Sequence, residues 1–268
     1  MANLKAIRIR LSSVRSTRQI TSAMKMVAAA KLRRAQDAIV QLRPYADKLN
    51  EIQASVCAAL RDTETENIYA QRKKGNGKVL IVVVTSNKGL CGAFNANVLR
   101  ETRRIMDERY SQENSRGDLG VMTVGKKAND ALRKLKCNII EDQSDLYTEL
   151  TFDRISALAD KLMRLYVSKE YDTIEIVYNQ FKNAAVQKLT NEVFLPVTMG
   201  TISGQDSAPA DYIYEPDQVR IISELIPKTL RIKLYRSLLD SFAAEHGARM
   251  TAMHQATDNA TELIRDLT

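Results

Sequence analysis

Apolar and small residues recur every three or four positions along the first sixty residues. The stripe runs through Leu4, Ile7, Leu11 and Val14, then Thr17, Thr21, Met24 and Ala28. It resumes at Ala35, Ile39, Leu42, Ala46, Leu49, Val56 and Leu60. That spacing marks one face of an α-helix. The last fifty residues repeat it at Val219, Ile222, Ile226, Leu230, Leu234, Leu238 and Phe242, then Met253, Ala260, Leu263 and Leu267. Two helices far longer than an ordinary domain needs therefore stand at opposite ends of one chain. Each stripe must be buried, and the other helix is the nearest matching surface, so the pattern predicts a coiled coil of the two ends. Pro44 and Pro227 fall inside these helices, and each removes a backbone hydrogen bond. The first helix either stops at Arg43 or continues with a bend. The stripe beyond Pro44 favours the bend.

Between the helices the period changes. RKKGNGK (72–78) is a polar break, and KVLIVVVTS (78–86) is a continuous β-branched run of the kind buried on both faces of a parallel sheet. A Gly-containing turn, NKGLCGAFN, leads into a helix over NANVLRETRRIMDERY (95–110). GVMTVG (120–125) is a second buried strand, followed by a helix over 126–135 and a short strand at CNIIED. A helix over 152–171, a strand over 172–181 and an edge strand over 187–199 complete the series. Pro196 assigns the last strand to an edge, because it has no amide to donate. Strands alternating with helices imply βαβ units. Residues 201–218 read as a loop. The expected architecture is α/β: a long antiparallel coiled coil of N- and C-terminal helices with an inserted Rossmann-like, mostly parallel α/β domain. The expected divisions are 1–71, 72–211 and 212–268.

Charge sharpens this picture. The chain of 268 residues carries a formal net charge of +8. The excess lies in residues 1–36, which hold nine Lys or Arg and no Asp or Glu, whereas the last fifty residues hold seven basic and six acidic side chains. An uncompensated basic face calls for an acidic partner surface. Such a start also looks like a cleavable presequence, but here the stripe continues through a further helix of matching pattern. No apolar run approaches the roughly 18 residues of a membrane span. The cysteines, Cys57, Cys91 and Cys137, have no metal-binding spacing and read as reduced thiols. The only histidines are His246 and His254, which leaves little for a zinc or His-based catalytic site.

Gly89-Leu90-Cys91-Gly92 follows a strand and precedes a helix, as phosphate loops do. Neither GxxxxGK[ST] nor GxGxxG is present, so Gly89, Cys91 and Gly92 are read as a structural turn, with Cys91 packed rather than nucleophilic. Thr17, Thr21, Ala28, His246 and Arg249 are small or polar where a static coiled coil would carry Leu or Ile. Three functional classes remain open on the residues alone: a shaft sliding inside a partner, a basic coiled coil binding nucleic acid, and an α/β enzyme using the Gly89–Gly92 turn. The lack of aromatic residues before Tyr45 weighs against single-stranded nucleic acid.

Four segments go further. ITSAMKMVAAAKLRRAQ (20–36), TSNKGLCGAFNANV (85–98), YIYEPD (212–217) and EHGARMTAMHQATDNATELI (245–264) occur in order, and with them the whole chain resembles the gamma-subunit family of rotary F-type ATP synthases. The resemblance implies a non-catalytic central stalk with no cofactor and no metal. Its terminal helices would stand inside a ring of three alpha and three beta subunits. Its α/β domain would sit on the epsilon subunit and the membrane c-ring, in one copy per complex. The implied ring contacts toward the acidic lever loop of beta are Met24, Lys25, Lys31, Arg33, Arg34 and Arg249. The implied foot contacts are Tyr212, Tyr214 and Glu215. A clear presequence and the plastid-type insertion with its cysteine pair are both missing, which points to a bacterial plasma membrane, cytoplasmic face, rather than a mitochondrial inner membrane. Family members continue past the position of Thr268 with a segment that contacts beta, so the upper shaft contact falls outside this sequence.

Overall fold

A computed structural model describes residues 4–59, 68–69, 77–197 and 218–268. The first helix, α1, runs from Leu4 to Ala59 and passes through Pro44 without ending. The last, α6, runs from Gln218 to Asp266 and contains Pro227. At 1.5 Å per residue they extend about 84 and 74 Å. They pair antiparallel. Thr21 meets Thr257, Leu32 and Ala35 pack on Ala243 and Met250, and Ala46 and Leu49 pack on Ile232, so the α6 number falls as the α1 number rises.

Small residues let the two backbones approach in the middle of the pair: Ala28, Ala35 and Ala243 are buried. The seam loosens toward the start of α1, where Ile7, Leu11 and Val14 are half-buried and Leu4 is exposed. Thr17, expected on the seam, is exposed. Its hydroxyl donates to the Ser13 carbonyl one turn back (3.0 Å), so it needs no partner from α6.

The inserted domain is a five-stranded sheet in the order β3-β2-β1-β4-β5. Its strands are β1 (Val79–Val84), β2 (Leu119–Val124), β3 (Ile139–Asp142), β4 (Thr173–Phe181) and β5 (Gln187–Leu195). The first four are parallel, and β5 returns antiparallel on β4. β5 stops at Leu195, before Pro196, and forms one edge. Every residue of β1 and β2 is buried, as their unbroken apolar composition requires.

One sheet face is covered by α2 (Phe94–Arg104) and α4 (Lys126–Lys134), the other by α5 (Phe152–Val167) and the lower half of α6. The core on the second side joins Leu80, Val82, Ile174 and Ile176 to Ile226, Leu230, Leu234 and Leu238. Shaft and inserted domain thus share one core.

Two expected helices are shorter than their patterns. The predicted helix over 95–110 changes to a π-helical turn at Ile105–Arg109, with Tyr110 N–H reaching back to the Ile105 carbonyl (3.1 Å), and a separate helix α3 covers Ser111–Arg116. The turn has a local cause. It brings the Tyr110 hydroxyl to Glu175 (2.5 Å) and Arg109 to the same carboxylate (2.9 Å). Glu175 is fully buried in β4, and a buried carboxylate requires such partners. The helix predicted over 152–171 ends at Val167, where Lys169 takes φ 62°.

Candidate functional site

Strand order reverses beside β1. The chain moves outward from β1 to β2 and β3, then returns to β4 on the other side of β1. In open α/β sheets the crevice at the carboxyl ends of such strands is where ligands bind. Here it is filled. Cys91 and Phe94, from the segment after β1, pack with Phe181 at the end of β4 against Ala244 and Ala248 of α6. Gly247 faces the 183–186 turn so closely that a Cβ there would lie 3.2 Å from the Ala184 Cα, and the Thr251 hydroxyl donates to the Ala184 carbonyl (3.2 Å).

The turn after β1 is built from side chains. Ser86 Oγ donates to the Lys88 carbonyl (2.6 Å), and Asn95 binds both Ser86 and the sulfur of Cys91 (3.2 Å). Asn87 Oδ1 accepts from the Lys126 amide (2.9 Å), tying the turn to α4. Gly92 takes φ 58°, a left-handed conformation suited to glycine. Gly89 lies in the same turn with open space around it. Cys91 is buried, and burial pushes its thiol up, which disfavours the thiolate.

Above this turn α1, α6 and the loop enclose a cleft of ≈ 370 Å³. One wall is Ala23, Met24, Val27, Ala28 and Lys31. The other is Lys88, Gly89 and Leu90, with His246 and Arg249 from α6 between them. Leu90 is 64% exposed with φ 63°. Met24 and Lys25 are half-buried, and Lys31, Arg33 and Arg34 are exposed. Lys25, Arg33 and Arg34 make no ion pair among the described residues. The cleft is apolar inside and basic at its rim.

Arg249 differs from the other predicted contacts. It is only 8% exposed, and its guanidinium binds Glu245, the Lys88 carbonyl (2.9 Å) and the Gly89 carbonyl (3.1 Å). His246 Nδ1 lies 3.4 Å from the same group. Burial, then Arg249 and Lys31, push the His246 imidazole down to about 3, so it is neutral near pH 7. The predicted residues Met24, Lys31, Gly89 and Arg249 thus come together around one cleft. Arg33 and Arg34 lie further along α1 and do not line it. Tyr212, Tyr214 and Glu215 lie outside the described residues. Sequence reasoning passed over Val27, Leu90 and Glu245. The i, i+4 spacing of Glu245 and Arg249 was the available signal.

Among the described residues no helix is long and apolar enough to cross a membrane. The family model described as ATP synthase matches residues 3–268. The ATP synthase gamma chain of Christiangramia forsetii is 48% identical over 267 residues, covering 100% of this chain and 90% of that one. That of Flavobacterium psychrophilum is 49% identical over 263 residues, covering 98% and 89%. Among solved structures, a chain in the central stalk/c-ring of Tetrahymena thermophila mitochondrial ATP synthase aligns with TM-score 0.61 and 25% identity, covering 88% of this chain and 99% of that one. A chain of the Euglena gracilis mitochondrial ATP synthase rotor shares the fold, with TM-score 0.63, 20% identity and coverage of 98% and 94%. The match over residues 3–268 and relatives near half identity along the full length agree: the chain belongs to the ATP synthase gamma chain family.

Proposed function

We propose that this chain is the rotating central shaft of an F-type ATP synthase and carries out no bond chemistry itself. The observation that carries this reading is the plugged crevice. Where an α/β enzyme of this topology would hold its ligand, α6 packs Ala244 and Ala248 onto Phe94 and Phe181. The shaft is thereby fused to the inserted domain, so a rotation applied to the domain is delivered to the helices. On this reading residues 72–211 form the foot, and residues 1–71 and 212–268 the shaft. The foot meets epsilon and the membrane c-ring, with Tyr212, Tyr214 and Glu215 as the contacts that the family resemblance supplies.

The ring contact lies at the cleft. Its apolar floor, the lining cations Lys31 and Lys88, and the unpaired cations Lys25, Arg33 and Arg34 nearby on α1 suit an acidic segment of a beta subunit bearing an apolar anchor. The shaft is asymmetric, since this cleft occurs once per chain. Three surrounding catalytic sites would therefore feel different contacts at any angle. Rotation would shift their conformational populations in turn, by the difference in contact each state makes. One copy would serve three alpha and three beta subunits, peripheral to a bacterial plasma membrane at its cytoplasmic face. The family match and the named relatives give the nucleic-acid alternative no support.

Co-expression with alpha, beta and epsilon subunits tests the reading. The chain is expected to co-purify with the hexamer in one copy, and single-molecule imaging of a probe on the foot is expected to show ATP-driven rotation. Retained ATP hydrolysis by the purified chain, freed of hexamer, would overturn it.

A further inference from the structure

Arg249 belongs to the shaft but directs two of its hydrogen bonds into the foot. Nη2 donates to two successive backbone carbonyls of the foot, Lys88 (2.9 Å) and Gly89 (3.1 Å). Nη1 pairs with Glu245 one turn back on α6. His246 Nδ1 lies 3.4 Å from Nη1, and because burial keeps that imidazole neutral, the nitrogen facing the guanidinium can accept. The side chain is 10% exposed and that of Glu245 is 6% exposed. A charge so enclosed is stable only with its partners in place. It is poorly placed to reach out to another subunit.

The two carbonyls belong to the loop that forms one wall of the cleft. On one flank Ser86 also holds the Lys88 carbonyl, and on the other Asn95 holds Cys91. Between them, Arg249 is the side chain that binds the Gly89 carbonyl among the described residues. The next residue, Leu90, carries the exposed apolar side chain that faces Met24 and Val27 across the opening.

We propose that Arg249 is a positioning residue, clamping the Lys88–Leu90 loop to α6 and so setting the width of the cleft that the acidic partner segment enters. This rests on the rotor reading and departs from the simpler view of Arg249 as one more cation facing beta. The chemistry of the clamp is specific to arginine. A planar guanidinium supplies five N–H groups in a fixed fork and can reach a carboxylate on one side and two carbonyls on the other. A lysine ammonium at the same place carries equal charge but cannot span those acceptors together. Charge and geometry therefore make opposite predictions for Arg249→Lys.

The test uses the complete membrane-bound complex carrying wild-type chain, Arg249→Lys, Arg249→Gln or Glu245→Gln. Two quantities are read at low and high salt: amide hydrogen exchange in the peptide covering residues 86–93, and protons pumped per ATP hydrolysed. The clamp predicts that Arg249→Lys and Arg249→Gln behave alike. Loop exchange should accelerate about tenfold or more, as expected from losing charge-assisted bonds to two carbonyls. Pumping per ATP should fall by the same fraction at both salt concentrations, because a buried contact is little screened. Wild-type exchange and pumping in Arg249→Lys, with a salt-dependent loss in Arg249→Gln, would overturn the proposal in favour of a partner-facing charge. If neither Arg249 variant assembles, Glu245→Gln decides. A looser 86–93 segment supports the clamp, and an unchanged one refutes it. Failure of the wild-type chain to assemble and pump would instead strike the rotor reading, so the two failures are separable.

Discussion

Thr21 and Thr257 face each other across the shaft with their hydroxyl oxygens 2.8 Å apart. Each hydroxyl also lies near a carbonyl of its own helix, Arg18 for Thr21 (3.1 Å) and Met253 for Thr257 (2.8 Å). The pair is therefore largely satisfied without the partner helix. It gives the seam a narrow, polar contact where a static coiled coil would carry branched aliphatic side chains.

Replacing one member leaves the other hydroxyl facing a methyl group in a part-buried site. Thr21→Val and Thr257→Val should each destabilise the chain by about 1 kcal/mol, whereas the double replacement should cost less than their sum or stabilise. Urea denaturation of the four proteins in a double-mutant cycle measures the coupling. Strict additivity would mean that the two hydroxyls do not interact.

At the cleft, an added acid should hurt more than a removed base. Lys25→Ala, Arg33→Ala and Arg34→Ala each remove one cation from α1 beside the cleft, worth roughly 0–1 kcal/mol. Leu90→Asp places a carboxylate on an exposed wall position that the proposed acidic partner must approach. It removes an apolar contact and adds like-charge repulsion. Its folding stability should change little while pumping per ATP hydrolysed drops well below that of any single neutralisation. Proton pumping in inverted vesicles, normalised to hydrolysis, checks the ranking. A Leu90→Asp complex that pumps as well as Lys25→Ala would place the partner elsewhere.

What the sequence makes legible follows from what periodicity records. A 3.6-residue stripe says which side of α1 and α6 is buried, and the β-branched run over Val79–Val84 says that a strand is covered on both faces. Both were readable for that reason. Periodicity is silent on what an individual polar side chain does once buried. Arg249 is identifiable as a seam position, but its two carbonyl partners lie some 160 residues earlier in the chain. The π-helical turn at Ile105–Arg109 is equally hidden, because a single wider turn barely disturbs the pattern. Its cause, Glu175, was visible as an acid set between two isoleucines inside the strand segment DTIEIVYNQF. A buried acid demands donors, and no pattern says that Tyr110 and Arg109 supply them. Pro44 could not be settled from sequence because the same residue ends one helix and bends another. The pairing of Ala46 and Leu49 with Ile232 keeps α1 helical beyond it.

Gly125 offers a test of the turn that carries the cleft loop. It takes φ 114°, and a Cβ there would lie 2.0 Å from the Thr85 carbonyl oxygen. Backbone cannot move aside as a side chain can. Thr85 Oγ1 also accepts the Ala128 amide (2.8 Å), so the same approach starts α4. Gly125→Ala should therefore destabilise by more than about 3 kcal/mol. Gly120→Ala is the control. Its nearest obstructions are both ends of side chains that can turn aside, the tip of Ile140 at 2.2 Å and the Tyr171 hydroxyl at 2.7 Å. It should cost about 1–2 kcal/mol. Thermal melting of both variants gives the comparison, and equal losses would show that Ile140 and Tyr171 are together as immovable as the Thr85 backbone.

Asp240 makes the stability of the shaft depend on pH. It is buried on α6, and burial lifts its carboxyl to about 6. Arg236 opposes that rise, Glu192 adds to it, and Arg43 of α1 opposes it. The folded value lies above the ordinary carboxylate value of 3.8, so the protonated form is the one the fold prefers. The contribution to stability is complete below the ordinary value and is lost as pH rises toward about 6 and beyond. At pH 8 the ionised group therefore costs on the order of 1–3 kcal/mol relative to a neutral one. Asp240→Asn removes that charge while keeping the shape. It should flatten the fall in stability between pH 4 and about 6 that Asp240 causes, and it should raise the urea midpoint at pH 8. Because Asn also forfeits attraction to Arg236 and Arg43, the gain should sit at the lower end of that range. Urea titrations of both proteins from pH 4 to 8 read the difference directly. A variant less stable than wild type at pH 8 would mean that the two arginines outweigh burial, and that the ionised carboxylate is a bond between the helices rather than a strain on them.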